Sequence, residues 1–132
     1  MNPCSIDIKD ILAEHSSLGL VFGQNLHIGR EPVNPPNCVT IYDPPGGRIA
    51  DTANTRDEKY YYLPLQIRVR DVSYTNGMQL AKDIENILHG IHNQTINETY
   101  YAFIRCNVPP FVLTWDENNR VIIIINFLIQ RR

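Results

Sequence analysis

At 132 residues the chain is long enough to bury a core without disulfide or metal staples, and its 43% hydrophobic and 20% charged content is that of a globular protein, not a disordered one. A net charge of -2 argues against a dedicated nucleic-acid binder, which ordinarily carries a basic face. The three cysteines Cys4, Cys38 and Cys106 form no Cys-x-x-Cys pair, and Met1-Asn2-Pro3-Cys4-Ser5-Ile6-Asp7 lacks the basic-then-apolar layout of a signal peptide, so synthesis in a reducing cytoplasm is expected.

The first helix is predicted to start at Ser5 as N-cap, with Asp7 and Asp10 near the positive end of its dipole. Ile8, Ile11, Leu12 and Leu18 fall on one face, and Gly19 is the expected stop. Leu20-Val21-Phe22 and Leu26-His27-Ile28 read as strand or irregular edge. Pro32, Pro35 and Pro36 lead into a strand over residues 38–42, closed by the turn Asp43-Pro44-Pro45-Gly46-Gly47. From Asp43 to Lys59 no periodicity is visible, which predicts a long functional loop, mobile until a partner orders it.

The next strand is the cleanest. Leu63, Leu65, Ile67 and Val69 point one way, while Tyr62, Pro64, Gln66, Arg68 and Arg70 point the other, with Pro64 marking an edge or bulge. A second helix follows, capped by Ser73 or Thr75. Met78, Ala81, Ile84, Leu88 and Ile91 form its stripe, widened by Leu80 and Ile87. A polar loop from His92 to Thr99 precedes a strand over 100–108, which Pro109-Pro110 breaks. Residues 111–115 and 121–129 then form a hairpin closed by Asp116-Glu117-Asn118-Asn119. Without a strand-helix-strand rhythm, the expected class is α+β: one domain with a mainly antiparallel sheet and two helices packed on one face.

The final strand is unusual because both its faces are apolar. Val121, Ile123, Ile125, Phe127 and Ile129 fill one face, and Ile122, Ile124 and Leu128 occupy the other, relieved only by Asn126 and Gln130. It is too short to span a bilayer, so either helices cover both faces or a second copy covers one. Ile122, Ile124 and Leu128 are therefore candidates for a subunit interface.

No catalytic constellation is present in the sequence. His89 and His92 at i, i+3 lack a third ligand, so dipole-interacting helix-end histidines are the better reading. Gly46-Gly47 lacks the Lys-Ser/Thr of a phosphate loop, and no serine sits in a nucleophile-elbow motif. No metal and no cofactor are expected. Tyr60, Tyr61 and Tyr62 with Arg68 and Arg70 would suit stacking on single strands, but the net acidity favours a protein-contact patch, since Tyr and Arg are enriched at interfaces.

Taken in order, the pieces resemble the minor capsid and tail-terminator (tail-completion) proteins of long-tailed bacteriophages. They are Leu18-Gly19-Leu20, His27-Ile28-Gly29-Arg30-Glu31-Pro32, Pro36-Asn37-Cys38-Val39-Thr40-Ile41-Tyr42-Asp43 with its Gly-Gly, and Leu65-Gln66-Ile67-Arg68-Val69-Arg70. Tyr74, Leu88-His89-Gly90, Asp116-Glu117-Asn118-Asn119-Arg120 and Asn126-Phe127 complete the set. The resemblance covers nearly the whole chain, and its specificity lies in the order of the pieces, not in any one motif.

That resemblance implies a non-enzymatic virion protein at the head-tail junction, forming a ring, commonly hexameric, that caps the tail tube and stops its polymerisation. The implied partners are other copies of the chain, the tail tube protein and a head connector or completion protein. DNA passes through the hole without specific binding, and no membrane is involved. Two axial surfaces are expected, with Asp116-Glu117-Asn118-Asn119 toward one side and Pro44-Pro45-Gly46-Gly47 toward the other. The rival readings are a head-completion or connector-adaptor protein of the neck, and a small cytosolic α+β ligand-binding module.

Overall fold

A computed structural model describes residues 1–51 and 59–132. Among them, helices α1 (Cys4–Glu14) and α2 (Tyr74–Leu88) and eight strands are formed. The strands are β1 (Leu26–Ile28), β2 (Cys38–Tyr42), β3 (Arg48–Asp51), β4 (Lys59–Asp71), β5 (Ile91–Ile96), β6 (Thr99–Cys106), β7 (Phe111–Trp115) and β8 (Val121–Arg131). They make one curled sheet of order β1-β2-β4-β8-β6-β5, with β3 added to β4 and β7 to β8. Among the described strands, β1–β2 alone pairs parallel. The expected α+β class and antiparallel sheet are found.

β4 and β8 form the spine, paired without a break from Tyr61↔Arg131 to Asp71↔Val121. Each carries two shorter strands along its other edge. β2 pairs with Gln66–Arg70 and β3 with Lys59–Tyr62; β7 pairs with Val121–Ile124 and β6 with Phe127–Arg131. β2 and β3 are thus two parts of one edge line, interrupted where residues 43–47 loop out. Pro64 lies opposite that interruption, where a missing N–H costs little. Gly47 permits the tight return, because a Cβ there would lie 2.7 Å from Leu63 Cδ2 and 3.3 Å from the Tyr62 carbonyl oxygen.

Odd-numbered residues of β4 and β8 face the helices. Val69, Ile67, Leu65, Val121, Ile123, Ile125, Phe127 and Ile129 join Val39, Ile41, Ile8, Leu12, Ala81, Ile84 and Leu88 in one core. α1 lies over β1 and β2, and α2 over β4 and β8. Gly77 lets α2 approach closely, since an added Cβ would meet Asp71 Cβ at 3.0 Å and Ile123 Cδ1 at 3.2 Å. Ser73 caps α2 by accepting from the Asn76 amide, one of the two caps expected.

Several local expectations are corrected. Ser5 is not the N-cap of α1 but lies within it, and its amide and hydroxyl both donate to the Asp43 carboxylate from the end of β2. The cap is supplied across the fold, which no local motif announces. α1 ends at Glu14, and Gly19, at φ 66°, terminates a separate 3₁₀ turn over Ser16–Leu18. Residues 48–51 are strand, not loop. The rest of the long loop, residues 52–58, lies outside the described residues, as does the mobility expected there. Residues 91–96 are strand β5 instead of helix stripe and polar loop, turning into β6 through Asn97 and Glu98, both at positive φ. That geometry is a two-residue hairpin turn, usually signalled by Asn-Gly and hidden here by Asn-Glu.

A buried polar knot ties α1 to the far end of the spine. Asp7 is fully enclosed, and its carboxylate accepts from the Tyr101 hydroxyl, from Arg131 Nη1 at 3.5 Å and from Asn97 Nδ2 at 2.8 Å. Arg131 Nη1 also donates to the Tyr101 oxygen at 3.1 Å. Burial and the bond to Asp7 push the Tyr101 phenol far above its usual range, so it stays a donor. Replacing Asp7 by Ala strands a buried guanidinium and should cost ~3–5 kcal/mol in urea unfolding, while Tyr101→Phe should cost ~1–3 kcal/mol. Burial also pushes the Cys4 thiol up to about 11, so in native protein at neutral pH it should resist thiol reagents that label it after unfolding.

Candidate functional site

The groups capable of chemistry are dispersed or already engaged. His89 Nδ1 accepts from the Cys106 amide at 2.8 Å, whereas His92 Nδ1 contacts the Gly90 carbonyl at 2.9 Å, so the two rings serve different local bonds. Among the described residues no group of three or more His, Cys, Asp or Glu is placed to hold a metal, and no helix is long and apolar enough to cross a membrane. What the fold presents is surfaces.

The first surface is the face of the sheet turned away from the helices. Ile122 and Ile124 point there, yet they are only 9% and 1% exposed in the lone chain. Within the lone chain their cover comes from neighbouring strands and not from a helix. Their cross-strand neighbours are Arg70 and Arg68 on one side and Thr114 and Phe111 on the other. Arg70 lies buried beside them and donates to the carbonyls of Val33, Pro35 and Pro36, with Glu31 Oε1 3.7 Å away. Arg120 donates to the same Val33 carbonyl at 2.9 Å. The proline-rich segment 31–36 is therefore strapped over this end of the face. Arg70, expected as a contact residue, is a structural anchor.

The other half of the face stays open. Cross-strand partners share a face, so Tyr42, Tyr60, Tyr62, Gln66, Arg68, Leu128, Gln130, Phe103, Arg105 and Arg132 lie together on it. Tyr61 is the exception within the tyrosine run, since its partner Arg131 faces the helices. The arginines stack on rings: Arg48 on Tyr62 at 4.2 Å, Arg68 on Tyr42 at 5.2 Å, Arg105 on Phe103 at 4.1 Å and Arg132 on Tyr100 at 4.9 Å. Leu128 is half-buried among them.

The second surface is the free edge of β7. That strand pairs with β8 alone among the described strands, and Phe111, Leu113 and Trp115 are 39%, 52% and 49% exposed along it. A register shift between Val112 and Thr114 makes Leu113 the extra residue of a bulge. Exposed apolar edges invite pairing with another chain. This surface was not singled out in the sequence, where residues 111–115 read only as one strand of a hairpin.

The hairpin tip at residues 116–119 is closed by hydrogen bonds to Asp116. Asp116 accepts from the amides of Asn118 and Arg120 at 2.9 Å each, and from Arg120 Nε at 2.7 Å. Desolvation opposes ionisation there, but the bonds from Arg120 and Asn118 outweigh it and hold the Asp116 carboxyl below its usual value. Residues 44–47 do not lie at the opposite end of the strands, as expected, but beside the middle of β4. The turn opposite the tip is Asn97-Glu98.

Comparison with known proteins follows the geometry. A family model described as bacteriophage tail terminator protein matches residues 15–132. A chain solved within the "Virion of native gene transfer agent (GTA) particle" shares the fold, with a TM-score of 0.68 at 11% identity, over 96% of this chain and 92% of its own. A second solved chain shares it with a TM-score of 0.55 at 13% identity, over 96% of this chain and 94% of its own. No curated protein matches the sequence.

Two substitutions separate buried from exposed positions. Ile124→Asp places a charge where the lone chain has no room for solvent, and should unfold it by several kcal/mol, seen as lost circular dichroism. Leu113→Lys should leave stability within ~0.5 kcal/mol while lowering self-association measured by light scattering.

Proposed function

The chain belongs to the bacteriophage tail terminator family, and on that premise we propose that it assembles as a ring, a hexamer by family resemblance, that caps the finished tail tube. It is a structural protein of a phage tail, and its place is the virion. In the proposed role it is made in the host cytoplasm, stops tube polymerisation and offers a joining surface to a head connector or completion protein at the head-tail junction. DNA passes through the central hole without specific recognition.

The structural observation that carries the reading is the apolar, unpaired edge of β7 on a chain whose core is otherwise closed. Apolar surface left on an unpaired strand is best accounted for by a neighbouring chain. The reading requires no catalytic step. A tube of stacked rings grows because each ring presents a surface matching the next, a head-to-tail contact that never closes. A terminator matches the tube on one side and refuses another tube ring on the other. The hydrogen-bonded tip at residues 116–119 and the Asn97-Glu98 turn, at opposite ends of the strands, are the proposed axial contacts. The loop at residues 44–47, beside mid-strand, serves better as a lateral contact.

Loss of the protein should yield overlong tails and headless particles by electron microscopy. Adding purified protein to growing tubes should halt elongation without nucleotide or added metal. Normal-length tails that fail only at head attachment would favour the neck-adaptor reading, and normal-length tails joined to heads would reject both.

A further inference from the structure

The charges are segregated between the two layers of the sandwich. The open sheet face carries Arg48, Arg68, Arg105 and Arg132, and among the described residues no carboxylate pairs with any of the four. On the helix layer Asp10, Glu14, Asp83 and Glu85 outnumber Lys9 and Lys82. The net charge of -2 conceals this division. The open face also has the anatomy of a protein interface: half-buried Leu128, Pro64, Tyr62 and Phe103 at its centre, and arginines stacked on rings around them.

We propose that the occupant of this face is the helix layer of a second copy, docked through the exposed strip of α1. That strip offers what the face lacks. Asp10 and Glu14, one turn apart, line an open cleft of about 220 Å³ between α1 and β5, with Glu14 exposed and Asp10 also bonded to Lys9 at 2.6 Å and to Asn97 at 2.8 Å. Phe22 stands exposed beside Lys9, whose Nζ lies 4.8 Å from the ring centroid, and supplies an apolar knob. The two surfaces belong to opposite layers of one subunit, so the contact is head-to-tail, and a suitable rotation closes it into a ring. The neighbour's helix would then cover the half of the sheet that the strap at residues 31–36 leaves bare. A duplex-binding stripe fits less well, because phosphates offer nothing to the apolar centre.

This inference rests on the ring reading, and the test separates the two. Native mass spectrometry and light scattering are run on the wild-type chain, on Arg105→Glu/Arg132→Glu, on Asp10→Lys/Glu14→Lys, and on the chain carrying all four changes, with circular dichroism to confirm folding. Each double variant should weaken assembly by roughly tenfold or more, and the fourfold variant should regain it, because the swapped charges attract again. Wild-type assembly should weaken as salt rises. Rings that persist unchanged in both double variants would overturn this interface while leaving the ring reading intact. A folded wild-type chain that stays monomeric at every concentration and on tail tubes would overturn both. Fluorescence anisotropy with a labelled duplex gives the other outcome. Binding lost in Arg105→Glu/Arg132→Glu, with rings intact, would assign the face to nucleic acid and reject the proposal.

Discussion

The pairing of β4 with β8 is the interaction on which the rest of the molecule depends. It joins eleven residues of each strand in uninterrupted register, and every other strand reaches the sheet through one of these two. Because side chains alternate, that single register decides which residues form the core and which form the opposite face. A slip of β8 by one residue would carry Ile123, Ile125 and Phe127 out of the core and turn Ile122, Ile124, Asn126 and Leu128 into it. With isoleucine on both faces of β8, hydrophobicity alone opposes such a slip only weakly. Asn126 opposite Gln66, bonded at 3.3 Å, and Arg131 in its buried knot therefore have a second role as markers of register.

Polar groups then lock the layers to this spine. Asp43 caps α1 from the end of β2, and Asp7 binds the same helix to Tyr101 and Arg131. On the far face Arg70 and Arg120 hold the proline-rich strap through its carbonyls. Each is a charged group satisfied by partners distant in sequence, so its energy depends on the whole fold being formed. Removing one partner is costlier than the pair's net worth, because the survivor remains buried.

Once the core and strap are accounted for, two features remain without an intramolecular purpose: the apolar edge of β7 and the open arginine-aromatic half of the sheet. Both are open to neighbouring chains in the proposed ring. The turns at residues 97–98 and 116–119, proposed as axial contacts, lie outside both.

Composition and periodicity by themselves determined the α+β class, β2, β7, α2 with its cap narrowed to Ser73 or Thr75, and the inward faces of β4 and β8, because these depend on side-chain alternation and local capping. The order of motifs also pointed to the family. Tertiary structure alone decided what depends on distant partners. The sequence could not show that Ser5 is served by Asp43, that β3 and β5 form where no apolar rhythm exists, or that Ile122 and Ile124 are enclosed by the chain's own strands and strap. It also could not show that a mildly acidic chain gathers Arg48, Arg68, Arg105 and Arg132 on one face. Charge and burial along a chain are one-dimensional, and only strand register converts them into surfaces.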